Sequence, residues 1–505
     1  MKTYSAILLS SLLVSGTLTA CGGVGGEEAK PLADEPFYLS IGASLTGELP
    51  PKNNAVEQVI EAYTNTSLQI QWIPLSAYDE KVKLMIASGE LPKLIKLAYS
   101  PTYIATLKAG QFWELGPFLK DYPHLSAVDK RYYENISVGG KIYGIPVFRN
   151  LGRAVIQYRK DWLERLGLKV PVTLDDWYRV VRALTLEDPD GNGKDDTYGM
   201  VLEKRYNQDV SSILTRISVS QGGPNKWKAE NGRFTPEFMT EPFLETMKMF
   251  RRLYQENLIN SDFAVVDTIE TGRIYDSGRA GIQISGGNVQ TWQDKLVKIV
   301  PNATVDVAPL AGPNGIRLPG EPGNAGFLAI PKDTVKTEAE VRKILHFLDK
   351  LMEPSMQTVI LKGVENRHWI DKGEYTEVLD RTLDLREVKP YRDMLPSLGE
   401  EEAAIKPSVQ PDLFRKNQRI GKEYTSYIVP NPALILDSET FTERGKELDI
   451  LITDAETKFI MGKIDEAGWK TELEKWKQAG GERMIREYEE AYQKQWKLRR
   501  GGDGR

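Results

Sequence analysis

Apolar and polar positions change period several times over the first hundred residues. Phe37-Tyr38-Leu39-Ser40-Ile41 alternates as a half-buried strand does, Val56, Val59, Ile60 and Tyr63 recur at helical spacing between Asn54 and Asn65, and Leu68 to Ile73 alternates again. Tyr78, Val82, Met85 and Ile86 restore the helical period over Ser76 to Ser88, and Leu94 to Ala98 predicts a third strand. Strand, helix, strand, helix, strand implies right-handed crossovers and a parallel sheet. Ligands of open α/β sheets bind at the carboxyl ends of strands, which makes Gly42-Ala43-Ser44 and Ala98-Tyr99-Ser100 early pocket candidates.

Gly139-Gly140-Lys141-Ile142-Tyr143-Gly144-Ile145-Pro146 reads as a hairpin-like segment that delivers the chain to a second region starting near Arg149. There Ala154 to Tyr158 predicts a strand and Lys160 to Leu166 a short helix. Thr173 opens another helix with Asp176 in capping-box position, and its apolar face carries Leu174, Trp177, Val180, Val181 and Leu184. Glu241 to Glu256 predicts an amphipathic helix, and Ala280 to Ser285 a buried strand leading into Gly286-Gly287. From about Lys336 helical patterns dominate, over Val341 to Met352, Phe441 to Met461 and Trp469 to Trp496. A chain of 505 residues exceeds what one core organises, so two or more lobes are expected.

The N-terminus changes the picture. Leu18-Thr19-Ala20-Cys21 places the single cysteine of the chain after small residues and the apolar run Ala6 to Val14, which is too short to cross a bilayer, with Lys2 ahead of it. This reads as a signal peptide over 1–20 and a lipobox, with Cys21 as the palmitate-type lipidation site and 21–36 as a flexible, Gly- and Glu-rich linker. The expected location is the extracellular face of the cell membrane, held by lipid. With Cys21 consumed, no disulfide or thiol nucleophile remains. The balance of 66 Lys and Arg against 71 Asp and Glu argues against nucleic acid as a partner.

Asp188-Pro189-Asp190-Gly191-Asn192-Gly193-Lys194-Asp195-Asp196-Thr197 has EF-hand-like spacing, with oxygen side chains at positions one, three, five and nine, glycine at six and the Lys194 carbonyl at seven. That is ligand spacing for calcium. Gly199 stands where the closing glutamate belongs, so closure must come from Asp196 or Thr197. An ion-free polar turn is the alternative.

The lipobox, Tyr143-Gly144-Ile145-Pro146, Tyr158-Arg159-Lys160-Asp161-Trp162-Leu163, the Asp188 loop, and Gly468-Trp469 with Glu474, Trp476, Gly480 and Gly481 together resemble the extracellular solute-binding lipoproteins of ABC importers. More narrowly, the chain is similar to the large oligosaccharide-binding branch often called LplA or LipO-like. The resemblance implies an α/β, two-lobed periplasmic-binding-protein-like fold of type II. Lobe 1 would span 37–148, completed by about 281–335, lobe 2 would span 149–280 with the calcium loop, and a helical part over 336–500 would be shared. It also implies a structural Ca2+ held at Asp188, Asp190, Asn192, Lys194 and Asp196, an oligosaccharide ligand, ABC permease subunits as partners and a monomeric state. Gly89-Glu90-Leu91-Pro92-Lys93 departs from the Gly-Asp-Leu-Pro-Asp usual in such relatives.

A pyranose offers an apolar C–H face and a hydroxyl rim, so aromatic platforms and planar polar groups are the expected lining. Trp162, Trp177, Trp469 and Trp476 sit at helical positions that favour core packing. The candidates in irregular segments are Tyr99, Arg149, Asn150, Asn288, Trp292, Arg367, His368 and Trp369. For a uronic acid, Arg149 and Arg367 would supply bidentate contacts. The rival is a surface lipoprotein enzyme, a glycoside hydrolase or lyase using carboxylates such as Asp175-Asp176 or Glu400-Glu401-Glu402. No nucleophile elbow, phosphate loop or His-Glu-x-x-His motif supports an enzyme, and the three histidines are widely separated.

Overall fold

A computed structural model describes residues 35–208, 212–287 and 289–502. The lipobox and most of the linker, including Cys21, lie outside the described residues, as does Asn288. The folded body begins at Phe37.

The first strand β1 (Phe37–Leu45) buries Leu39, Ile41 and Ala43, as its alternation requires. Helix α1 (Ala55–Thr64) starts where the Asn54 side chain accepts the amides of Val56 and Glu57, and ends at Asn65 in the left-handed region. Then follow β2 (Thr66–Pro74), α2 (Leu75–Ser88), β3 (Leu94–Leu97) and α3 (Pro101–Lys108). Strand β1 pairs in parallel with both β2 and β3, the predicted topology. Val138 and Lys141 exchange both backbone hydrogen bonds around Gly139 and Gly140, whose φ of 57° and 80° suit a tight turn that side chains resist. The turn leads into β4 (Gly144–Phe148).

Beyond Arg149 lie β5 (Val155–Arg159), α4 (Lys160–Arg165), α5 (Leu174–Leu186), β6 (Tyr198–Met200), α6 (Ile213–Ser220) and α7 (Glu241–Gln255). The predicted capping box opens α5. Strand β7 (Ala280–Ser285), helix α8 (Val289–Leu296) and strand β8 (Val305–Pro309) follow. Next come the short β9 (Leu318–Pro319), then β10 (Asn324–Ala329) and α9 (Glu338–Leu351). The remainder contains α10 (Lys389–Met394), α11 (Asp412–Glu423), β11 (Ile428–Val429), α12 (Glu439–Ile460), α13 (Glu466–Trp476) and α14 (Glu482–Gly502). The expected helix over Trp469 to Trp496 is therefore two helices, parted where Gly480 takes a φ of 131°.

Two sheets organise two lobes, in the orders β2-β1-β3-β10-β4 and β8-β5-β7-β6. Here the expected boundaries need correction. Strands β7 and β8 flank β5 in the second sheet, so 281–309 belongs to lobe 2, and only β10 returns to complete lobe 1 between β3 and β4. The C-terminal helices divide: α9 and α10 pack on the first sheet, whereas α12, α13 and α14 join the core of the second with Trp162, Trp177, Trp469 and Trp476. All four tryptophans are buried, as their helical positions predict.

Three segments cross between lobes, at 149–154, 310–323 and 396–411. Two of them run together: the amide of Arg149 donates to the Gly323 carbonyl at 2.8 Å and that of Glu321 to the Leu151 carbonyl at 2.7 Å. Strand β9 pairs in parallel with β11, adding a fourth segment to the same hinge. The Asn225 side chain ties them by donating to the carbonyls of Gly320 and Val429, at 2.8 and 3.0 Å.

Candidate functional site

The carboxyl ends of β1, β3 and β4 share one edge of the first sheet, and the end of β7 meets it across the 149–154 crossing. Helix α10 is anchored there by Tyr391, which is fully buried. Its hydroxyl donates to Glu57 at 2.6 Å and accepts from Asn54 at 2.7 Å, and its ring meets Trp72 edge-on. The anchor presents Lys389 and Asp393, one turn apart, to Thr46 at the end of β1.

Three cations gather on that edge around one carboxylate. Lys389 binds the Asp393 side chain directly and donates to the Thr46 hydroxyl at 3.0 Å. Lys96, on β3, reaches the backbone carbonyl of Asp393 at 2.9 Å and, among the described residues, no carboxylate. Arg149 lies 3.9 Å from the Asp393 carboxylate, too far for a hydrogen bond. Burial pulls the Lys96 ammonium down to about 8, with Arg149 pushing the same way and Asp393 opposing. Burial likewise lowers Arg149, with Arg153 and Arg392 adding to it against Asp393.

Behind them the hinge holds Glu321, whose carboxylate accepts from Arg153 Nε at 2.8 Å and lies 3.9 Å from the buried Arg216. Arg216 donates to the Ile284 carbonyl at 3.0 Å, and burial draws it down to about 10 while Glu321 pulls it back. A cavity of about 50 Å3 adjoins, lined by Thr215, Asn225, Lys226, Glu321, Asn431 and neighbours.

The sequence-predicted residues separate on this framework. Arg149 and Asn150 stand on the first crossing, with Asn150 exposed and its amide near Gly421 of α11. Tyr99 is half-buried just beyond the end of β3, its hydroxyl spent on the Ser137 carbonyl at 2.8 Å. Trp292 is a core residue instead: it sits on α8, meets Tyr275 edge-on and donates its indole N–H to the Tyr275 carbonyl at 3.1 Å. Arg367 is also a correction, because Glu387 takes its guanidinium in two hydrogen bonds of 3.0 and 2.9 Å. His368 is buried beside the same carboxylate, and Trp369 donates its N–H to the Gly363 carbonyl at 3.0 Å. These three brace a local hairpin of lobe 1.

Sequence reasoning passes over Lys96, Lys389 and Tyr427. Tyr427 precedes β11 in the hinge, is 49% exposed and lies beside Tyr424, so an aromatic face is available at the crossing.

The Asp188 loop lies apart, between α5 and β6. Asp188 accepts the amides of Asn192 and Gly193, both at 3.0 Å, and the Asn192 side chain donates to Asp190 at 2.9 Å and Asp196 at 3.2 Å. Burial raises Asp190, with Asp188 and Asp196 adding their charge. At Asp188 burial is outweighed by hydrogen bonds from the loop, among them the Gly193 and Asn192 amides, and the carboxyl is lowered. Among the described residues no three acidic, His or Cys side chains converge enough to cage a metal alone. The donor set still fits a hard cation, since Asp188, Asp190 and Asp196 surround the Asn192 amide and the Lys194 carbonyl would complete an all-oxygen set. Thr197 does not close the loop: it is buried and its hydroxyl donates to the Leu184 carbonyl at 3.0 Å.

Comparison with known proteins agrees with this architecture. Residues 43–354 match the model of the bacterial extracellular solute-binding protein family. Lipoprotein LipO of Bacillus subtilis is 36% identical, over 97% of this chain and 98% of its own. The polygalacturonan/rhamnogalacturonan-binding protein YtcQ of the same organism is 34% identical, over 96% and 98%. Among solved structures, an HMO binding ABC-transporter associated solute binding protein from Bifidobacterium longum infantis superposes with a TM-score of 0.70 at 17% identity, covering 91% of this chain and 99% of that one. Two lobes, hinge crossings on one sheet edge and near full-length similarity lead to one assignment: the chain belongs to the bacterial extracellular solute-binding proteins.

Proposed function

We propose that this protein captures an oligosaccharide between its two lobes and delivers it to an ABC permease. The observation that carries the reading is the polar sheet edge at the hinge, where Thr46, Lys96, Arg149 and Asn150 stand with the exposed ring of Tyr427 on the neighbouring ribbon. Planar polar groups and an aromatic face are what a sugar's rim and C–H face require. The near full-length similarity to a polygalacturonan/rhamnogalacturonan-binding protein supports a carbohydrate ligand. Closure on the ligand follows from contacts made by both lobes only when they approach.

The carboxylates considered for an enzyme have structural employment. Asp176 caps α5, and Glu400 accepts the Ser408 amide at 3.0 Å and pairs with Lys362. No helix among the described residues is long and apolar enough to cross a membrane. The lipobox supports the reading that a lipid on Cys21 attaches the protein to the membrane. The Asp188 loop is assigned to a structural Ca2+.

A thermal-shift screen of pectin, alginate, xylan and mannan fragments, followed by small-angle scattering with any binder, tests the reading. Compaction on binding is expected. An unchanged radius with a bound sugar, or release of new reducing ends, would overturn it. Cys21→Ser should abolish labelling by radioactive palmitate; persistent labelling would refute that assignment.

A further inference from the structure

We propose that Lys108 and Asp437 form a clasp that stabilises the closed pairing of the two lobes and so sets how tightly the captured sugar is held, without touching the sugar. The inference rests on the oligosaccharide reading and names residues that tune its affinity.

The lobes meet away from the crossing ribbons. Lys108 is the last residue of α3, which follows β3 in lobe 1, and α3 lies against α12 of lobe 2. The Lys108 ammonium stands 2.8 Å from the carboxylate of Asp437, just ahead of α12. Outside the crossings, this is the one ion pair among the described residues that joins the lobes, and neither partner has a second ion pair there. Both backbones are pinned beside it. Leu107 and Leu436 are buried in the cores of their own lobes, and Ser438 caps α12 by accepting the Phe441 amide at 2.9 Å. The charge of Asp437 also reaches a ring of each lobe. Burial raises Tyr99, beyond the end of β3, with Asp437 adding to it, and burial raises Tyr488 of α14, with Asp449, Glu487, Tyr99 and Asp437 adding to it.

An ion pair between two hinged bodies forms only while they touch, so it stabilises the closed arrangement and no other. Both side chains are 46% exposed, which makes the pair modest and open to screening by salt. Its expected weight is a shift of up to about fivefold in the closing equilibrium. A protein that must close before it grips loses apparent affinity by the same factor when the clasp is cut. Capture of an uncharged sugar should therefore weaken as salt rises, a dependence that contacts with neutral hydroxyls would not give.

Zero-length crosslinking with a carbodiimide tests the contact in the parent protein, where no variant has to fold. The reagent activates the Asp437 carboxyl, the Lys108 amine attacks it, a urea leaves with the carboxyl oxygen, and the new amide joins peptides of the two lobes for mass spectrometry. About 0.5 M salt should suppress this product. Scattering and calorimetry then read closure and grip, with tetragalacturonate, xylotetraose and mannotetraose as probes. Lys108→Glu and Asp437→Lys should each shift the chain toward a larger radius and weaken any probe that binds the parent by about threefold to fivefold. The double exchange, which restores the pair with its charges reversed, should recover both. Absence of the crosslink, or single variants that keep the parent's radius and affinity, would overturn the clasp and leave oligosaccharide capture standing. Binding of none of the probes would count against that reading, and crosslink and radius would then decide the clasp alone.

Discussion

A β-carbon on Gly199 would fall inside the contact radius of the Val181 carbonyl oxygen, because β6 lies directly against the backbone of α5. Gly199 occupies the twelfth position counted from Asp188, where a calcium loop of EF-hand type carries its closing glutamate. The packing of strand on helix forbids that side chain here. Gly199→Glu should therefore cost about 3 kcal/mol or more through overpacking and give no gain in calcium affinity. Urea unfolding with and without calcium checks this, and a stable variant with tighter calcium binding would contradict it.

Calcium itself should act as a brace. At an ion concentration about a hundredfold above Kd, linkage supplies about 2.7 kcal/mol, and a chelator should remove it. The Tm should drop in EDTA, and Asp190→Ala should show the lower Tm in both conditions. An unchanged Tm in EDTA, with no metal in the purified protein, would discard the brace.

Glu321 stands between Arg153 and the buried Arg216 at the crossing. Removing it leaves Arg216 on the Ile284 carbonyl, with no carboxylate among the described residues paired to its charge. Glu321→Ala should cost roughly 3–5 kcal/mol, whereas Arg153→Ala, on the more exposed partner, should cost clearly less. Denaturant midpoints of the two variants measure the difference.

Glu456 on α12 is fully enclosed, accepts the Asn207 amide at 2.7 Å and has its carboxyl pushed up to about 8 by burial, with Asn207 and Lys226 opposing and Glu237 and Asp449 adding to it. A carboxyl raised in the fold binds a proton that the unfolded chain has already lost. Its stabilising contribution is thus fully present below the ordinary carboxylate pKa and disappears as pH rises through about 8. Glu456→Gln keeps the acceptor for Asn207 and carries no charge, so it should match the parent near pH 5 and exceed its Tm at pH 9. Identical pH profiles would show that the group titrates normally.

Much of the fold is legible in the sequence because it is local. The alternation around Leu39 and Ile41, the helical period of Val56 and Ile60, and the capping box at Thr173 are short-range signals, and each produces the expected element. Sheet membership is not local. Residues 280–285 read as a buried strand, yet only their pairing with 155–158 reveals which lobe they serve. The same limit governs the site. Trp292 reads as available after Gly286-Gly287, but Val289–Leu296 forms a helix that turns the indole onto Tyr275. Arg367 reads as a ligand for anions, but Glu387, twenty residues on, claims it. Lys96 is hidden in the opposite way, as one polar residue among the apolar positions of β3, and only the arrival of Asp393 and Arg149 from distant segments makes it conspicuous.

The pairing of Leu318-Pro319 with Ile428-Val429 imposes a schedule on biogenesis. A nascent chain cannot finish its first sheet until β10 has slotted between β3 and β4, nor knit its hinge until β11 emerges much later. Such distant closures are slow. The first sheet and the hinge therefore close only after residues 324–329 and 428–429 have left the ribosome, so contacts between distant segments form last.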